Sequence, residues 1–236
     1  MQYAFLIWSL LLLGIWAIVY LSLRDPLARR EMLMVSRWTG LLGLTEPVFV
    51  PAYWNPPTLF DLAQRTRFDI ESVLFAFGVG GLAVILYEWL LRPEHVKVAM
   101  ADRSARRHRL HSVALVSTPL VFAALWVATP LNPIYSTIIA FLFGGLFTLY
   151  CRPDLIGKMV GSALIFTALY FAYFLSLVLV FPDYVRLVWN LPGLSGVLIA
   201  GIPIEELLFA FGLGFLWSSV YEHVGWYRIR APRSAS

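Results

Sequence analysis

Two glutamates, Glu205 and Glu206, stand side by side at the head of an almost uncharged stretch, Pro203-Ile204-Glu205-Glu206-Leu207-Leu208-Phe209-Ala210-Phe211-Gly212. Carboxyls in such a setting suit proton transfer, because two acids that share a site separate into a donor and an acceptor. The stretch has a copy 134 residues earlier, Asp69-Ile70-Glu71-Ser72-Val73-Leu74-Phe75-Ala76-Phe77-Gly78. Comparing Asp69–Glu88 with Pro203–Glu222 gives 11 identities in 20 positions. Ionisable groups in lipid are costly and mark function by default. Glu71, Glu205 and Glu206 are therefore the catalytic candidates. Glu206 is the odd member, since Ser72 takes its place in the first copy.

Helical spacing puts Glu71, Phe75 and Gly78 on one face, and Glu205, Phe209 and Gly212 on the matching face of the second copy. Ala76 with Gly80, and Ala210 with Gly214, form small-residue pairs on a face roughly opposite, where helices approach closely in lipid. The segments leading into the two copies also match, at an offset of 135: Pro47/Pro182, Val50/Val185, Trp54/Trp189, Asn55/Asn190 and Pro57/Pro192. Glu46 adds a further carboxyl beside Pro47. Candidate substrate-binding residues are thus Glu46, Trp54, Asn55, Phe75, Gly78, Trp189, Asn190, Phe209 and Gly212, with Asn55 and Asn190 expected to orient the carboxyls by hydrogen bonding. A structural role competes with this reading, because helix N-termini welcome carboxylates. Glu88 and Glu222, beside Tyr87 and Tyr221, read as interfacial anchors or repeat-packing residues.

The elements that must hold these groups are set by composition. The 236 residues are 60% hydrophobic and 14% charged, with a mean hydropathy of +0.75; a soluble domain carries about a quarter charged residues. Seven spans fit, at Tyr3–Leu23, Met32–Val50, Phe68–Leu91, His111–Thr129, Pro133–Cys151, Gly157–Phe181 and Ile199–Glu222. Tyr3–Leu23 lacks a basic start and a small-residue cleavage site, so it reads as a retained helix. With the N-terminus outside, 15 of the 18 Lys and Arg fall on inner segments, leaving Arg65, Arg67 and Arg186 outside. This fits the positive-inside rule and predicts a multi-pass protein of the plasma (inner) membrane with a cytoplasmic C-terminus.

Leu23-Arg24-Asp25-Pro26-Leu27 also resembles Cys151-Arg152-Pro153-Asp154-Leu155. The expected architecture is all-α: two parallel three-helix repeats, 1–92 and 131–225, joined by a basic inner loop and connector helix over 93–130. A basic tail, 226–236, follows. An odd number of helices between equivalent spans gives both repeats the same orientation, related by a twofold along the membrane normal.

Several chemistries are set aside. The two lysines, Lys97 and Lys158, sit at inner loops, so no mid-helix lysine can hold retinal. No Asp-rich pair is present to hold magnesium and diphosphate, no Gly-x-Gly-x-x-Gly follows a strand, and no histidine cluster suits a di-iron centre. His108 and His111 in the basic loop read as no metal site, and the single Cys151 as a core or boundary thiol. The net charge of +4 is accounted for by inner-loop bias, with no nucleic-acid partner implied. Acid–base chemistry on an apolar molecule dissolved in the bilayer survives, beside non-catalytic lipid binding and, less well matched, transport.

Pro203, Glu205, Glu206 and Phe209, approached through Trp189-Asn190, Gly196 and Gly201-Ile202-Pro203, resemble the signature of the integral-membrane lycopene cyclases, which occur as paired subunits or fused tandem domains. The layout of three, one and three helices is similar to a fused pair over nearly the whole chain. The resemblance implies a redox-neutral isomerisation without a cofactor. A carboxylic acid protonates a terminal isoprenoid double bond, an internal alkene captures the cation, and a base removes a ring proton. The rings of Trp54, Phe75, Trp189 and Phe209 would stabilise the passing cation, by up to ~2 kcal/mol when desolvated. The partners implied are lycopene or a similar isoprenoid, membrane lipids and other carotenoid-pathway enzymes. A hydratase, or a cyclase of a shorter terpenoid, would use the same carboxyls.

Overall fold

The computed structural model describes residues 3–103 and 106–230; the end of the basic tail, with Arg233, lies outside them. Seven long helices dominate: α1 (Ala4–Ser22), α2 (Pro26–Leu42), α3 (Ile70–Leu91), α4 (His111–Ala128), α5 (Pro133–Cys151), α6 (Ile156–Val180) and α7 (Ile204–Gly225). Among the described residues all but α2 are long and apolar enough to cross a membrane. The chain is an integral membrane protein.

α2 departs from expectation. It begins at Pro26, with Asp25 capping Leu27 N at 2.9 Å, and ends at Leu42 rather than Val50. A 3-10 turn at Gly43–Thr45 and a short helix at Glu46–Phe49 take up the rest of the apolar run. Gly43 has no room for a side chain there, because a Cβ would lie 2.7 Å from the α3 backbone at Ser72 and Val73. The buried residues of α2 are Ala28, Glu31, Met32, Val35, Ser36, Thr39 and Gly40, a stripe at helical spacing that packs along α3.

α3 packs on α1 and α2, and α7 packs on the equivalent helices α5 and α6. Glycines set these approaches. A Cβ on Gly78 would meet Leu12 of α1, and one on Gly212 would meet Phe141 of α5. Gly80 faces Thr39 of α2, and Gly214 faces the α6 backbone at Ala163, 2.9 Å from a built Cβ. Backbone moves less readily than a side-chain tip, so Gly214→Ala is expected to cost about 1–3 kcal/mol, the usual range for overpacking. Gly157→Ala, which meets only Tyr87 Oη at 4.0 Å, should be neutral. Melting curves of the two variants in one detergent check the contrast; equal curves would refute it.

The two halves meet at both ends through antiparallel pairs centred on equivalent residues. At one end Trp54 pairs with Trp189; Asn55 N donates to Val188 O at 2.8 Å and Asn190 N to Tyr53 O at 2.9 Å. At the opposite end strands β1 (Glu94–Lys97) and β4 (Tyr227–Arg230) pair, with His95 opposite Ile229. A second two-stranded sheet, β2 (Leu198–Ile199) with β3 (Ile202–Pro203), takes the residues expected to begin α7. Ala200 and Gly201 both adopt positive φ in its turn, as a two-residue hairpin of primed type requires. Strands of two to four residues are too short to show a period in the sequence.

Between β1 and the helices lies a buried charge cluster. Lys158 Nζ lies 3.0 Å from Glu31, 2.5 Å from Glu88 and 2.6 Å from Glu222. His95 Nε2 lies 3.1 Å from Glu222, 3.3 Å from Glu88 and 3.6 Å from Glu31. Burial lowers the His95 pKa, but the hydrogen bonds to Glu222, Glu31 and Glu88 outweigh it and push the imidazole up to about 12. Of the two readings of Glu88 and Glu222, interfacial anchors or repeat-packing residues, the structure agrees with the second: both are buried where the two halves meet. Glu31-Met32 and Lys158-Met159 occupy matching places on α2 and α6, so one position carries opposite charges in the two halves.

Candidate active site

Four carboxyls gather near the N-terminal ends of α3 and α7, in two kinds of surroundings. Glu71 lies in the first turn of α3, behind the Asp69 cap, and its Oε1 accepts from Leu59 N at 2.7 Å. Glu205, in the first turn of α7, accepts from Ser195 N at 2.8 Å and from Tyr135 Oη at 2.7 Å. Each of these equivalent glutamates therefore sits where helix dipole and free N–H groups favour a negative charge and ties down the loop that leads into its helix. Neither lines the cavity described next.

Glu206 and Glu46 do line it. One residue on from Glu205, or about 100° round the helix, Glu206 turns inward and is 5% exposed. Its Oε1 accepts from Tyr53 Oη at 2.5 Å and from Trp189 Nε1 at 2.9 Å, and its Oε2 from Tyr170 Oη at 2.7 Å. Burial, then the neighbouring Glu206 carboxylate, hold the Tyr53 phenol well above its ordinary pKa, so it keeps the proton it donates. Glu46, in the short helix after α2, is differently placed. Its Oε1 is buried with no hydrogen-bond partner among the described residues, and Ser72 and Trp54 adjoin the carboxyl.

The cavity has a volume of about 520 Å³ and an apolar wall. Its α7 side runs from Glu206 through Phe209, Leu213, Leu216, Trp217 and Val220 to His223, a rise of roughly 25 Å along the helix axis. Phe75 of α3 and Phe209 of α7 flank Tyr170, with ring centroids 6.3 and 6.5 Å from it. Trp54 packs on Phe5 and Trp189 at 4.8 and 5.4 Å. α4 closes one side with Ala114, Leu115, Thr118, Pro119 and Phe122. Such a space suits a long apolar chain whose end lies among two carboxyls, phenols and indoles.

The structure thus brings together Glu46, Trp54, Phe75, Trp189, Glu206 and Phe209, and leaves six other candidates outside the wall: Glu71, Glu205, Asn55, Asn190, Gly78 and Gly212. The asparagines do not reach the carboxyls. Asn190 Nδ2 donates to Ala52 O at 2.9 Å, and Asn55 ties the loops through its backbone. The glycines are filled from α1 and α5 rather than open to a ligand. Sequence reasoning missed Tyr53, Tyr170 and Tyr135. They lie 153, 36 and 70 residues from the glutamates they bond, so no local spacing announces them.

Six membrane-crossing helices around a carboxyl-bearing apolar cavity define a membrane protein with an internal site for an apolar molecule. Residues 132–224, which hold α5, α6 and nearly all of α7, match the family model described as lycopene cyclase. Comparisons with curated proteins and with solved structures gave no match.

Proposed function

We propose that the chain is a carotenoid cyclase of the lycopene cyclase type, working on an apolar isoprenoid drawn from the bilayer. The observation that carries the reading is the pairing of Glu46 and Glu206 at one end of a long apolar cavity, in a chain with a lycopene cyclase domain. The two carboxyls have contrasting surroundings, the arrangement that separates an acid from a base. Glu206, with three donors, is fitted to be the carboxylate. Glu46, with an oxygen left without a donor, is fitted to carry the proton.

Glu46 protonates the terminal double bond, and the tertiary cation is captured by the internal alkene to close a ring. Glu206 then removes a ring proton, so that atoms and electrons balance in an isomerisation. The faces of Phe75, Phe209 and Trp54 support the cation. Glu71 and Glu205 act at one remove, by holding the outer loops that carry Tyr53 and Trp189. The reciprocal bonds at both ends of the molecule support two parallel repeats, 1–92 and 131–225, about an axis along the membrane normal. Inner-segment basic residues support an outer N-terminus and a cytoplasmic C-terminus in the plasma membrane.

The test is expression in a lycopene-accumulating host, with pigment extraction and chromatography. Ring-bearing products should replace the linear pigment. Unchanged linear pigment, with the protein folded and in the membrane, would overturn the reading.

A further inference from the structure

The inner end of the molecule gathers groups that the proposed cyclisation leaves unused. Residues 106–110 form a 3-10 turn that runs into α4, and His108 and His111 fall at this junction. Cys151, the last residue of α5, is fully buried. Its Sγ lies 3.5 Å from Nδ1 of His108 and 3.9 Å from Nδ1 of His111, and one ligand atom from each of the three residues lies within 4.8 Å of the others. Sulfur and nitrogen ligands of one tetrahedral zinc ion, bonded at about 2.3 and about 2.0 Å, stand roughly 3.5 Å apart. The spacing is therefore close to that of ligands sharing one ion.

A second observation points the same way. His223 of α7 is 1% exposed and packs edge-to-face on His111, with ring centroids 4.1 Å apart. Its Nε2 is buried with no hydrogen-bond partner among the described residues. Trp226 stacks on the His111 ring at 4.1 Å and covers the group. Arg152 follows Cys151 directly, but its charge is already engaged. Asp154 accepts from two of its N–H groups at 2.9 and 2.7 Å, and the carbonyls of Glu222 and Tyr227 accept one more each.

We propose that His108, His111 and Cys151, with His223 adjoining, bind one divalent transition-metal ion of the zinc class. Mixed imidazole and thiolate donors favour such an ion over magnesium or calcium. On binding, the Cys151 S–H proton leaves to solvent as the sulfur–metal bond forms; the imidazoles bind neutral and no electron is transferred. The ion ties the start of the connector helix to the ends of α5 and α7. The proposal departs from the reading of His108 and His111 as an ordinary basic-loop pair. It stands independently of the cyclase proposal, since it predicts metal binding whether or not a ring is formed.

The full chain, purified in detergent without chelator, should bind one zinc ion per molecule. Loaded with cobalt(II) instead, it should show the intense visible bands of a tetrahedral site and a thiolate-to-cobalt charge-transfer band. Cys151→Ser should remove the charge-transfer band and weaken zinc binding at least tenfold, while far-UV circular dichroism shows the helices retained. Because Cys151 is the only cysteine, alkylation gives the same answer in the wild type, where zinc should slow maleimide labelling at least tenfold. Substoichiometric zinc at saturating concentration, cobalt spectra without a thiolate band, or labelling indifferent to zinc would each overturn the proposal.

Discussion

Glu206→Gln is expected to lower ring formation at least about 100-fold, while Glu205→Gln, one residue away, keeps it within several-fold. The neighbouring side chains face different tasks. Glu206 meets Tyr53, Tyr170 and Trp189 at the cavity wall, whereas Glu205 holds Ser195 N and Tyr135 outside it. A positioned general acid or base contributes typically 10²–10⁴-fold. Glutamine can keep the shape and accept through its carbonyl oxygen, but it takes no proton from a ring. Glu46→Gln should match the loss at Glu206. Glu71→Gln should resemble Glu205→Gln, with the loss of a loop contact appearing in stability rather than in product. Product per folded molecule, measured for the four variants in a carotenoid-producing host, settles the division. Equal losses at Glu205 and Glu206 would return the duplicated glutamate to the chemistry.

Lys158→Met should cost about 3–5 kcal/mol, the usual range when one partner of a buried ion pair is removed. The variant leaves Glu31, Glu88 and Glu222 facing one another with only His95 between them. Glu31→Lys alone should fail for the opposite reason, by placing two ammonium groups together. The double swap, Glu31→Lys with Lys158→Glu, should recover most of the loss, because the two positions correspond across the repeats and both face the same glutamates. Monodisperse yield and melting temperature in detergent measure the coupling; a double swap no better than its parents would show that the positions are not equivalent. The cluster also has an alkaline signature. His95 is raised from an ordinary value of 6.5 to about 12 in the folded chain, so its stabilisation is whole below the lower value and drains away as pH rises toward the upper one. His95→Gln should flatten that slope.

Much of the helical frame was legible, and the reasons are local. α5 was placed residue for residue because Pro133 starts it, with Asn132 as its cap, and Arg152 follows its end. α2 was displaced because hydropathy follows apolar side chains, whereas this helix turns a buried glutamate and two hydroxyls inward and its apolar run continues past a bend at Gly43. The site was half legible. Duplication singled out the glutamates, and the break in it, Glu206 against Ser72, marked the one that faces the cavity. Duplication could not reveal that Glu71 and Glu205 face the loops, since backbone donors carry no sequence signal. The Glu31–Lys158 pair escaped for a related reason. It matches at an offset of 127 instead of 134, and a lone lysine after an apolar span reads as a topology signal.

The antiparallel pairs at the two ends have a consequence for what can assemble with what. A twofold contact between identical halves would set Glu31 against Glu31 and Ser72 against Ser72, or Lys158 against Lys158 and Glu206 against Glu206. The observed contact sets Glu31 against Lys158, while Ser72 and Glu206 both line the one cavity. Cut between α3 and α5, the chain would yield two pieces that select each other and reject themselves, since self-pairing crowds like charges into a buried space. Covalent continuity is thus what lets one polypeptide keep two similar halves and still carry Glu206 and Lys158 in only one of them.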